Sequence, residues 1–201
     1  MSKDRYKRRT PKLHIRDRML ILCGGSTEEE YFNQIKKSLH DVIFNIDVIV
    51  DQYKRSSPTE LVNAAIKEKT GYHEVWVVFD KDDFTDFDSA ISLATKNGIR
   101  SAFSNEAFEY WFLLHIENRT GAMTRVALKA ELERKLGFEF DKSNEVTRRV
   151  FKMIKGELSI AEERAQIGHE RHIRDSGGMQ SAWQSCTTVY MLTRRLRSGG
   201  K

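Results

Sequence analysis

At 201 residues, with 39% hydrophobic and 31% charged side chains, the chain suits one large domain or a small pair of domains, globular and on the polar side. No apolar run approaches the roughly 20 residues a membrane helix needs, and the basic start has no apolar stretch behind it, so neither a membrane span nor a secretory leader is expected. The formal charge of +5 is compatible with a polyanionic partner. It is uneven: Met1 to Arg18 carries eight Lys or Arg against two Asp, either a solvating tail or an arm that contacts nucleic acid. Cys23 and Cys186 lie far apart without metal spacing, so free thiols and a cytoplasmic location are expected.

The elements then follow in order. "MLILC" (19–23) ends in Gly24-Gly25 and reads as a buried strand. "STEEEYFNQIKKSL" reads as a helix, with Thr27 and Glu30 spaced for a capping box and Tyr31, Ile35 and Leu39 on one face. "VIFNIDVIV" (42–50) is a second strand. A second helix starts at Ser57, with Pro58 at its first position and Glu60 at its third. "EVWVVFD" (74–80) is a third strand, "DFDSAISLATKNG" a helix closed by Gly98, and "IRSAF" (99–103) a fourth strand. Alternating strands and helices predict a mostly parallel sheet of about four strands, covered on both faces. "NEAFEYWFLLHI" is an aromatic-rich helix, and 122–197 shows no convincing strand, only helices interrupted near Gly121, Gly137, Gly156 and Gly177-Gly178. The expected division is a basic arm (1–18), an α/β core (19–116) and a helical extension packed on that core (117–201).

In open α/β sheets, ligands bind beyond the carboxyl ends of the strands. Gly24-Gly25-Ser26-Thr27-Glu28, Asp80-Lys81-Asp82-Asp83 and Ser104-Asn105-Glu106 all fall at such ends. If the strands are neighbours, Glu28, Asp80 and Asp82 converge at one rim. Crowded carboxylates repel one another and lose more on desolvation than most groups, so something must offset them. Hard oxygen donors around one point suit Mg²⁺ or Mn²⁺, which stabilises charge at phosphorus and activates water. Gly24-Gly25 is either a plain tight turn or a place where backbone N–H groups face an anion.

The segments "CGGSTEEEYF", "VVFDKDDF", "SNEAFEYWFLLH" and "SCTTVYML" resemble the RloB-like proteins, over about Met19 to Leu196. That family is of the Toprim type, related to topoisomerases, primases and OLD-type nucleases, and is associated with ATPase partners in phage-defence and restriction-linked loci. The resemblance implies a Toprim-like core and a metal-dependent nuclease acting on DNA or RNA, tRNA included, as an antiviral effector of the abortive-infection kind. One departure matters. The family reads "EG" directly after the first strand, and that glutamate is taken as the acid/base; here the position is Gly24, while Glu28 remains. The alternative is therefore a catalytically weakened module that binds nucleic acid or the ATPase.

The expected catalytic set is Glu28, Asp80 and Asp82, and the expected metal ligands are these three with Asp83, which otherwise is a surface charge of the loop. Gly24, Gly25, Asn105, Glu109 and His115 are expected around them. Glu109 and His115 belong to the resemblance, although His115 also reads as a core histidine beside Phe108, Trp111 and Phe112. His169 and His172 read as surface residues rather than zinc ligands. Arg148, Lys152 and Lys155 share one helical face and are the expected nucleic-acid contacts. Expected partners are nucleic acid and an ATPase, with homo-oligomerisation left open.

Overall fold

The computed structural model describes residues 17–43, 46–53, 57–176 and 178–199. Its strands are β1 (Asp17–Cys23), β2 (Ile46–Gln52), β3 (Glu74–Asp80), β4 (Arg100–Asn105) and β5 (Cys186–Thr187). They form one sheet in the order β2-β1-β3-β4-β5, in which β5 alone is antiparallel to its neighbour. β1 and β3 are near-continuous apolar runs because both their faces are covered.

Side chains alternate between the two faces. Met19, Ile21, Cys23, Trp76 and Val78 pack against α1 (Ser26–Ser38) and the later helices. Leu20, Leu22, Val75, Val77 and Phe79 pack against α2 (Pro58–Glu68) and α3 (Phe87–Lys96). The second half supplies α4 (Glu109–Ile116), α5 (Arg125–Leu136), α6 (Asn144–Ile154), α7 (Leu158–Ser176) and α8 (Val189–Arg197). Leu128, Leu132, Val150, Phe151, Ala161, Leu192 and Leu196 share one apolar cluster with the β1 side chains, so the described helices have no core of their own. No helix among the described residues is long and apolar enough to cross a membrane.

The α2 start is as read: Ser57 accepts from Glu60 N, Glu60 accepts from Ser57 N, and Pro58 opens the helix. Gly98 and Gly137 close α3 and α5 with left-handed φ of 63° and 76°.

Five expectations are corrected. The sheet has five strands, because Cys186–Thr187 pairs with Ser104 and Asn105; two residues are too short to carry a strand pattern. The Thr27–Glu30 capping box is absent: the N-cap is Gly25 and no side chain caps α1. The second strand is Ile46–Gln52 rather than 42–50, and Val42 lies in a turn whose N–H bonds to Leu39 O. β1 starts at Asp17, so the last two residues of the expected arm are strand, and 1–16 lie outside the described residues. Finally, His169 is buried, with Nδ1 at 3.0 Å from Tyr190 Oη, because α8 covers that face of α7.

Candidate active site at the carboxyl ends of the parallel strands

The site follows from register. β1 and β3 are adjacent and parallel with Cys23 opposite Val78, and β4 sets Ser104 opposite Asp80. The turn after β1 therefore emerges beside the end of β3. Gly24 to Glu28, Asp80, Asp82, Lys142, and Ser57 and Pro58 of α2 line one cleft of about 170 Å³.

Asp80 Oδ2 accepts from the Phe108 N–H at 3.0 Å, at the threshold of α4, while Oδ1 is buried without a hydrogen-bond partner. Burial, then the charges of Glu28, Glu109 and Asp82, holds the Asp80 carboxyl well above the usual range. Glu28 is buried as well. Desolvation pushes its pKa up to about 7, with Glu109 and Asp82 adding to the rise and its own backbone N–H and Lys142 opposing it. Asp82 sits at φ 41° in the turn after β3, with its N–H on Glu106 O at 3.1 Å. Its Oδ1 lies 3.1 Å from Arg125 Nη1, an ion pair without hydrogen-bond alignment. Burial raises its pKa despite Arg125 and Lys142.

Glu109 is 1% exposed; its Oε1 accepts from Lys142 Nζ at 2.8 Å and its Oε2 has no hydrogen-bond partner. Burial works against the Lys142 ammonium, yet Glu109, Asp80 and Glu28 outweigh it and hold that pKa above its ordinary value. Gly25 is needed for close approach: a Cβ there would lie 2.4 Å from Glu28 Oε2 and drive that carboxylate away.

Other expected residues are placed differently. Asp83 is exposed and lines an adjoining cleft of about 740 Å³ with Glu106, Glu109, Arg125 and Lys142, so it is not beside Glu28. Asn105 turns away, donating Nδ2 to Gln180 O at 3.1 Å and Ser181 O at 3.0 Å. His115 packs its ring on Trp111 and Tyr31, with Nδ1 at 2.9 Å from Trp111 O, and lines neither cleft. Its core reading holds because α4 is covered nearly all round. The Gly24 N–H is spent on Val78 O at 2.8 Å, which removes it as an anion donor. Arg148 and Lys152 are exposed on α6 and Lys155 in the turn that follows it; Arg148 Nε lies 3.4 Å from Glu30 Oε1, and none of the three lines the carboxylate cleft. Lys142 and Arg125 were missed: both are single cations in loop or helix-start positions, and no sequence spacing marks them.

The donors suit a hard divalent ion in kind: buried carboxylates, among them Asp80 and Glu109, each with an oxygen that no hydrogen bond satisfies. They do not yet close on one point. Among the described residues, no three His, Cys, Asp or Glu side chains stand close enough together to hold one metal. Asp80 and Glu28 fit the role; Asp82 is turned to Arg125.

A pH dependence follows. The folded pKa of Glu28 is raised, so between about 4.5 and about 7 the folded state holds a proton that the unfolded state has released. Stability is therefore lost as pH rises through that window. His115, lowered by burial to about 4, acts in the opposite sense, losing stability as pH falls below 6.5. Glu28→Gln isolates the first effect. In chelator at pH 8 it is expected to exceed wild type by on the order of 3 kcal/mol, with the gap closing near pH 4.5. Urea melts at both pH values check this, and an equal or lower midpoint at pH 8 contradicts it.

The model of the RloB-like protein family matches residues 19–196. This chain belongs to the RloB-like family. The matched span of this RloB-like protein takes in Gly24, Glu28, Asp80, Asp82, Glu109, Arg125 and Lys142 and omits the first 18 residues. A search of curated proteins found no match. Among solved structures, the C-terminal region of the Burkholderia pseudomallei OLD protein is similar at 15% identity and a TM-score of 0.36, covering 91% of this chain and 98% of that one.

Proposed function

We propose that this RloB-like protein is a divalent-metal-dependent phosphodiesterase acting on DNA or RNA, with tRNA among the candidates, as an effector in antiviral defence. The observation that carries the reading is the buried, unpartnered Oδ1 of Asp80 among carboxylates that raise one another's pKa. A site that keeps unfavourable charge together, in a cleft at the switch end of a parallel sheet, is a functional candidate on physical grounds. Family membership supports a nuclease-associated or defence-related module.

In this reading Asp80 and Glu28 hold the ion, with Asp82 beside them. Such an ion supplies charge stabilisation at phosphorus and a water of lowered pKa. Without the ion, burial pushes Glu28 up to about 7, so the metal-free site can hold a proton there near neutral pH. Arg125 offsets the charge of Asp82 and keeps it from the free rotation of a loop aspartate. Arg148, Lys152 and Lys155 would hold the phosphate backbone, and an ATPase would be the protein partner. A second reading rests on Gly24, which brings no carboxyl group to the strand end: the protein then binds nucleic acid or its ATPase without cutting.

One assay separates the two readings. Wild type, Asp80→Ala and Glu28→Gln are incubated with plasmid DNA and with tRNA in Mg²⁺ or Mn²⁺, with and without a candidate ATPase partner. Metal-dependent cleavage by wild type that falls at least 100-fold in both variants is the expected result, on the scale of a lost acid–base group. Cleavage by none of the three leaves the binding-module reading standing.

A further inference from the structure

Lys142 occupies an unusual place. It lies in the loop between the left-handed Gly137 that closes α5 and the Ser143 that caps α6. That loop is pinned on both sides of the lysine. Phe140 is buried with its N–H on Glu133 Oε1 at 2.9 Å, and Asp141 Oδ1 accepts from Ser143 N at 2.8 Å. Lys142 itself has φ 62°, a conformation that a long side chain adopts only where its surroundings hold it. The side chain lines both clefts, is 40% exposed, and ends 2.8 Å from an oxygen of Glu109.

The charge balance is informative. Glu28, Asp80, Asp82 and Glu109 face Lys142 and Arg125, so two negative charges remain formally uncompensated. Beyond its pair with Glu109, Lys142 also lines the cleft of Asp80 and Glu28, and its charge acts on both carboxyls.

We propose that Lys142 is the resident counter-ion of this site: it holds the carboxylates together when no divalent ion is bound and withdraws into the adjoining cleft when one enters. This rests on the reading that the Asp80 cleft takes a divalent ion. The ammonium and the ion compete for the same negative field, so each weakens the hold of the other. The adjoining cleft, which Glu109 lines, gives the side chain room, so Lys142 can leave the cleft of Asp80 while keeping a carboxylate beside it. Metal affinity is thereby set low, and the metal-free site is kept from flying apart.

The test uses wild type, Lys142→Met, Lys142→Arg and Lys142→Met/Glu109→Gln, each in the full chain. In chelator, Lys142→Met is expected to melt several degrees below wild type. Lys142→Arg keeps the charge and the midpoint, and the double variant recovers most of the loss because it removes the orphaned carboxylate with its partner. By calorimetry with Mn²⁺, Lys142→Met is expected to bind at least tenfold more tightly than wild type. An unchanged midpoint for Lys142→Met overturns the counter-ion role. Wild-type binding with equal or weaker binding by Lys142→Met overturns the displacement while leaving the metal site intact. No Mn²⁺ binding by any of the four proteins overturns the metal reading, and the displacement with it.

Discussion

Asp80→Asn is expected to raise the thermal midpoint of the metal-free protein and to abolish its stabilisation by Mn²⁺. The asparagine carbonyl can keep the Phe108 N–H bond that Oδ2 now accepts, so the change removes charge and little else. What it removes is the carboxylate whose pKa burial and three neighbouring carboxylates drive up. Each kcal/mol so relieved shifts the midpoint by about 2–4 °C in a domain of this size. Melts in chelator and in Mn²⁺ give both halves. A lower midpoint in chelator would mean that Asp80 is a structural acceptor first, and the charge-crowding account would fail.

Gly24→Glu is expected to act in the opposite direction, both without metal and with it. Gly24 has no left-handed φ, and a Cβ there would meet only ordinary contacts, Val78 O at 3.5 Å and Leu61 Cδ2 and Phe79 Cβ at 3.7 Å. The backbone therefore accepts a side chain. A carboxylate at that strand end joins Asp80, Asp82 and Glu28 on the lining of the same cleft. At roughly 8 Å and an effective dielectric near 20, each new like-charge pair costs ~2 kcal/mol. The metal-free midpoint should fall, Mg²⁺ or Mn²⁺ should restore it, and metal-dependent cleavage should rise at least tenfold. A variant destabilised equally with and without metal would show that position 24 does not face the ion.

The contrast between these two positions shows what the sequence made legible. Strands β1 and β3 were readable because both faces are buried, which leaves an uninterrupted apolar run that ends abruptly at Gly24 and at Asp80. From there, parallel order alone brings Glu28 and Asp80 to one rim. The α2 start was readable because its signal is local, a serine, a proline and a glutamate within four residues. β5 was not, since its two residues owe their state to β4 and carry no period of their own. The cations were not legible either. Lys142 and Arg125 reach the carboxylates from the helical half, more than 40 residues along the chain from Asp82, and only tertiary packing pairs them. His115 shows the converse: it sits in the family-like segment, yet the helix that carries it turns the ring into the core between Tyr31 and Trp111.

The central claim is that the crowded carboxylates form a divalent-metal site. Calorimetric titration of Mn²⁺ into the metal-free protein and into Asp80→Ala/Asp82→Ala tests it most directly, with a far-UV spectrum confirming that both are folded. The account predicts saturable binding by wild type, and none by the double variant. Unchanged binding in the double variant, or no binding in either protein, would contradict it.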